Sequence, residues 1–160
     1  MNEAEFLEKL REAFAIESDE HFRTIRKCLA DLEQDDAEPE AIIELIFREA
    51  HSLKGAARAI NRADIEALCQ GMESLLAVWK RDPSTRQPHH YSLLERAMDL
   101  LEELLASEME LSLSSEPLQS LVDELKMESS LRANEKNEMQ LAPLPTAMYE
   151  DPFAVSERSD

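Results

Sequence analysis

The sequence has few of the residues that build nucleotide-binding loops or disulfide frameworks. Its 160 residues include two glycines, two cysteines and 5% aromatic residues. Two isolated glycines cannot form the glycine-rich loop that cradles nucleotide phosphates, so we expect no ATP site in this chain. Cys28 and Cys69 lie far apart in helical patterns, which indicates two reduced core thiols and no disulfide.

Long apolar runs and an excess of positive charge are also absent. No apolar run approaches the roughly 20 residues needed to span a bilayer, and the acidic start MNEAEF is unlike the basic n-region of a signal peptide. The net charge of −18 would repel nucleic acid and anionic membranes. We therefore expect a cytoplasmic protein whose partners are proteins with basic or mixed surfaces.

Helix-forming residues are abundant, with Leu, Ala, Glu and Met dominating. Apolar residues recur at three- and four-residue steps in five segments, at about 3–33, 39–60, 64–81, 91–107 and 116–131. The pattern predicts an all-α fold, an up-and-down antiparallel four-helix bundle with an additional C-terminal helix. We assign residues 1–131 to this bundle and the proline-containing residues 132–160 to a flexible tail or interdomain linker.

Candidate chemistry centres on His51 in the second helix. Ala50 belongs to the inward stripe, and the next residue is rotated by about 100°, which puts His51 on a flank of the helix. Lys54 is one turn further on and could offset the charge of a phosphoryl group on His51. Gly55 costs the helix about 1 kcal/mol relative to alanine. It would leave room for such a group or for a partner, or it could mark a tight helix contact.

The third helix offers a carboxylate, Glu73, beside its apolar stripe. A carboxylate that accepts a hydrogen bond from one ring nitrogen of a histidine fixes the tautomer and makes the other nitrogen the nucleophile. We interpret Glu73 as this partner of His51, and Gln70 lies one turn before it.

The segment FREAHSLKGAARAIN resembles the phosphorylation-site helix of histidine-phosphotransfer domains, above all the N-terminal one of chemotaxis-type histidine kinases. The family's pattern is His, two residues, Lys, Gly and then small residues. The resemblance implies that His51 is the phosphoacceptor and Lys54 its basic neighbour. In ALCQGMESLL, Glu73 falls on the family's acid, while Gln70 stands where its chemotaxis members often carry a second histidine. The resemblance covers roughly residues 4–125.

This resemblance implies a phosphoryl carrier in two-component signalling. A kinase domain that binds ATP and Mg²⁺ would phosphorylate His51, and an aspartate of a response-regulator receiver domain would take the group. Docking would involve Phe47, Arg48, Gly55 and Arg58. The module itself needs no cofactor or metal, and we expect a monomer that is a fragment of a histidine kinase.

Two other functions remain open, a free-standing phosphorelay protein and a helical adaptor without chemistry. The other histidines have simpler interpretations. His21 lies on the inward stripe of the first helix, where a buried, hydrogen-bonded histidine is expected. His89 and His90 follow two prolines, which indicates a loop, and we expect no metal site there.

Overall fold

The computed structural model describes residues 1–34 and 38–141, with side chains to residue 131. These residues form an all-α fold, which confirms the predicted class. Its five α-helices, joined between α3 and α4 by a short 3₁₀ turn at Pro83–Thr85, are α1 Glu3–Glu33, α2 Pro39–Ala59, α3 Ala63–Arg81, α4 Pro88–Ala106 and α5 Glu116–Leu141.

The helices run up and down, as the ion pairs between them show. Lys80, at the end of α3, pairs with Glu44 near the start of α2, so these two helices are antiparallel. Arg96 of α4 pairs with Glu124 of α5, and Trp79 of α3 donates to His90 at the start of α4. Consecutive helices with short connections thus pack against each other.

The core is centred on α3, which packs against α2, α4 and α5. Trp79 and Met72 of this helix are fully buried. The fifth helix also contributes to this core, since its residues Leu118, Leu121, Val122 and Leu125 are all buried. Cys28 and Cys69 are buried free thiols, as predicted, and burial raises the pKa of Cys69 to about 12.

Two predicted boundaries are wrong. The fourth helix begins at Pro88, three residues before the predicted start, because a proline fits the first position of a helix. The fifth helix continues to Leu141, ten residues past its predicted end, so residues 132–141 of the predicted tail are helical. Residues 142–160 lie outside the described part of the chain, and the division into bundle and tail stays a prediction.

The turn between α2 and α3 positions the candidate site. Asn61 has a φ of 58°, a left-handed conformation that asparagine tolerates better than most residues. Next to it, the guanidinium of Arg62 donates to both carboxylate oxygens of the fully buried Asp64, over 3.0 and 2.9 Å. Arg62 also donates to the backbone oxygens of Leu104 and Ser107, at the end of α4. The start of α3 is therefore fixed to the rest of the bundle.

Candidate functional site

The ring of His51 projects from α2 beside α3, and its side chain is 64% exposed. Its Nδ1 lies 2.7 Å from Oε1 of Glu73. The helical period of the sequence predicts both features, an exposed position on the flank of the second helix and a carboxylate partner on the third.

Glu73 is ionised, and this assigns the tautomer of His51. Burial raises the pKa of Glu73, but its contacts with Lys54 and His51 outweigh burial and hold the pKa below its ordinary value. An ionised carboxylate only accepts hydrogen bonds, so Nδ1 of His51 carries the proton and donates it. In the neutral ring, Nε2 then keeps its lone pair, and no described residue hydrogen-bonds to it.

Lys54 is held more closely than the sequence suggested. Its side chain is 13% exposed, and its ammonium lies 2.6 Å from Oε2 of Glu73. The ammonium also donates to Oε1 of Gln70 over 3.0 Å. The four residues proposed to carry the chemistry are therefore linked in a chain from Gln70 through Lys54 and Glu73 to His51.

Gly55 borders this cluster on the exposed side of α2. A methyl group placed on its Cα would meet no described atom within 4 Å outside the helix's own backbone and its immediate neighbours. The alternative interpretation, a tight contact between helices, is therefore wrong for Gly55. That description fits Gly71 on α3, where an added Cβ would lie 3.1 Å from Cδ1 of Leu125.

The residues predicted to dock a partner lie around His51 on the same side of α2. Arg58 is exposed and pairs with Glu66 of α3 over 2.7 Å. Arg48 is also exposed, 3.4 Å from Glu44. Phe47 is half-buried against the core, and the ammonium of Lys80 lies 4.6 Å from the centre of its ring. Their role in docking stays a prediction.

The pairs between α2 and α3 share one register. Glu44 meets Lys80, His51 meets Glu73 and Arg58 meets Glu66, so that successive pairs are seven residues apart on each helix. Seven residues are about two turns, so all these side chains lie along one seam. The seam fixes the distance between His51 and Glu73 through the packing of two whole helices.

His21 lies between α1 and α2 and is only partly buried, contrary to expectation. Its Nδ1 contacts the carboxylate of Glu49, and its Nε2 lies 3.4 Å from Glu17. Burial lowers the pKa of His21, but these carboxylates together raise it above its ordinary value. No signal in the sequence indicated this pairing with Glu49, which faces α1 and is therefore separate from the His51 cluster.

A second group of histidines lies at the start of α4, where the predicted loop is wrong. His90 is fully buried, and both its Nε2 and that of His89 lie near Oε2 of Glu128, at 3.2 and 3.1 Å. Their ligand atoms are close enough for a metal ion. However, Nδ1 of His90 accepts from the ring of Trp79 and from the backbone of Gln87, so its proton is on Nε2. Metal-binding histidines show the reverse pattern, with the second nitrogen donating.

No described helix combines the length and the apolar character needed to cross a bilayer.

Comparison with known proteins agrees with this geometry. The Hpt domain family matches residues 9–140 of the chain. A stretch of 65 residues, 41% of the chain, is 42% identical to the chemotaxis protein CheA of Halobacterium salinarum. That stretch spans 10% of the CheA sequence. The chain therefore belongs to the histidine-phosphotransfer (Hpt) family, whose members act in phosphotransfer in two-component signalling.

Proposed function

We propose that His51 is the residue that carries the phosphoryl group, and that a kinase domain using ATP and Mg²⁺ supplies it. The observation that supports this most directly is the exposed imidazole whose Nδ1 lies 2.7 Å from Glu73. It provides an accessible Nε2 with a lone pair, which is the nucleophile that the reaction needs.

In the first transfer, Nε2 of His51 attacks the γ-phosphorus of ATP. The bond between nitrogen and phosphorus forms while the bond to the leaving oxygen of ADP breaks. The ring becomes positively charged, since the Nδ1 proton stays in its hydrogen bond to Glu73. The adjacent carboxylate stabilises this charge, as a buried aspartate does for the imidazolium of a serine protease.

In the second transfer, a carboxylate oxygen of a receiver aspartate attacks the phosphorus. The bond between nitrogen and phosphorus breaks, and its electron pair returns to Nε2. Lys54 reduces the charge repulsion between the phosphoryl group and the incoming carboxylate. The receiver site is acidic, and α2 carries as many basic as acidic residues in a chain of net charge −18. This helix is therefore a better docking face for such a site than the rest of the surface.

The similarity to CheA supports a context in chemotaxis-type signalling, with this chain as the phosphotransfer part of a histidine kinase. Because the matched stretch is a small part of CheA, the kinase region and the receiver are parts of this proposal. The alternative of a free-standing phosphorelay protein differs from this proposal in one respect, because its kinase would be a separate protein.

The test is labelling with [γ-³²P]ATP and the kinase region encoded with this chain. We expect a label that is stable in base and lost in acid, as for a phosphoramidate, and that is absent from His51→Gln. His89→Gln is the matched control, because His89 is also an exposed histidine beside a glutamate. Equal labelling of wild type and His51→Gln would refute the proposal, and no labelling of either would favour the helical adaptor.

A further inference from the structure

Lys54 differs from an ordinary surface lysine in the way its ammonium is held. Such a lysine extends its charged end into water, whereas the side chain of Lys54 is 13% exposed. Two oxygens from α3 hold the ammonium, one from Glu73 and one from Gln70. These two residues are one turn apart on the same face of α3.

The two oxygens differ in charge, and this matters for a site that must accept a phosphoryl group. Glu73 neutralises the ammonium, so the resting cluster with a neutral His51 has no net charge. Gln70 adds a hydrogen bond acceptor without adding a second negative charge. A carboxylate at this position would bind Lys54 more strongly but would repel the incoming phosphoryl group.

We infer that Gln70 is a positioning residue for the proposed phosphotransfer at His51. Its Oε1 holds the Lys54 ammonium beside Glu73 and on the side of α2 that carries His51. An ammonium has three N–H donors. Gln70 occupies one of them, and Glu73 forms an ion pair with the ammonium. A donor therefore remains for an oxygen of the phosphoryl group. The inference rests on the proposed function for this last step, whereas the anchoring of Lys54 is a property of the unmodified protein.

The anchoring is tested without phosphorylation, by ¹⁵N NMR of the lysine ammonium groups in the full chain. In the wild type we expect a Lys54 signal whose protons exchange slowly with water, in contrast to the more exposed Lys80. Gln70→Leu should lose this protection, while Gln70→Glu and Gln70→His should keep it, because both can accept the hydrogen bond. Equal protection of Lys54 in wild type and Gln70→Leu would overturn the inference.

The consequence for chemistry is tested with potassium phosphoramidate as a small phosphoryl donor, which requires no kinase. Gln70→Leu should slow labelling of His51 about fivefold, the effect of one hydrogen bond. Gln70→Glu should slow it further although Lys54 stays protected, and Gln70→His should restore a rate near that of the wild type. Gln119→Leu, at an exposed position on α5, is the control for the substitution itself.

The two readouts separate this inference from the proposed function. Wild-type protein that takes no label at His51 refutes the proposed function, and the NMR result still decides the anchoring. Equal labelling rates for the wild type, Gln70→Leu and Gln70→Glu would overturn the positioning role of Gln70. The proposed function would then stand. General damage to the fold would remove the protected NMR signal and the labelling rate together. Gln70→Glu is expected to keep the protected signal and lose only the rate.

Discussion

Replacing Gly55 by alanine should stabilise the folded protein and, at the same time, slow exchange of the phosphoryl group with a partner protein. In the interior of an exposed helix, glycine costs about 1 kcal/mol relative to alanine. Gly55 does not have a positive φ, and an added Cβ would meet no described atom within 4 Å outside its own helix and chain neighbours. The full gain of about 1 kcal/mol is therefore expected, or about 2–4 °C in Tm for a domain of this size.

The same methyl group should hinder the docking of a partner protein. Gly55 is one turn after His51, so a receiver domain that reaches Nε2 of His51 must approach the Gly55 surface closely. Extra volume in a packed contact costs about 1–3 kcal/mol, which corresponds to a transfer that is slower by roughly fivefold or more at low receiver concentration. Labelling by phosphoramidate should keep its rate, since this small donor needs no protein contact.

The assay combines urea denaturation, followed by circular dichroism, with transfer from the phosphorylated protein to a receiver domain. Gly71→Ala is the matched control, since its new Cβ would lie 3.1 Å from the fully buried Leu125 and should lower the free energy of unfolding. A Gly55→Ala protein less stable than wild type would show that the fold itself needs this glycine. Unchanged transfer to the receiver would show that no partner approaches Gly55.

Two further predictions concern charged groups outside the cluster. Asp64→Asn should cost about 3–5 kcal/mol, because it leaves the partly buried Arg62 without its countercharge. Asp99→Asn, in an exposed pair, should cost only about 0–1 kcal/mol, and equal shifts of the two urea midpoints would contradict this difference. Burial raises the pKa of Asp64, but the hydrogen bonds from Arg62 and from the backbone outweigh burial and hold the pKa below its ordinary value of 3.8. The contribution of Asp64 is therefore present above pH 3.8 and is lost as the pH falls through the folded pKa, so the difference between wild type and Asp64→Asn should shrink in acid. His21 has a raised pKa, so its pairing with Glu49 stabilises most below pH 6.5 and is lost as the pH rises through the folded pKa. Its NMR titration should have a midpoint above 6.5, and a midpoint below that value would contradict the pairing.

The parts of the site that the sequence predicted depend mainly on the helical period. A residue next to a buried stripe lies on the flank of its helix, and this placed His51 correctly without knowledge of the packing. The proximity of Glu73 needed one further assumption, that neighbouring helices are antiparallel. The bond between Lys54 and Gln70 was not predictable, because it depends on the rotamers of two long side chains across the seam.

The errors at α4 and α5 have different physical causes. Two prolines before His90 indicate a loop, but a proline also fits the first turn of a helix, and here Pro88 begins α4 and Gln87 caps it. Leu125 is the last buried residue of α5 in the part whose side chains are described, whereas helix-forming residues continue to Leu141. Apolar periodicity indicates which residues of a helix are buried, and the helix can continue beyond its last buried residue.

The common register of α2 and α3 explains why the site depends on a turn that contains none of its residues. The bond between Lys54 and Gln70 follows the same register as the pair of His51 with Glu73. A rotation of α3 by one residue, about 100°, relative to α2 would separate both pairs together. A substitution at one position of the seam removes one pair and leaves the others. The left-handed Asn61 and the buried Asp64 lie at the turn that joins these helices, where they support the register in which an imidazole, a carboxylate and an ammonium meet.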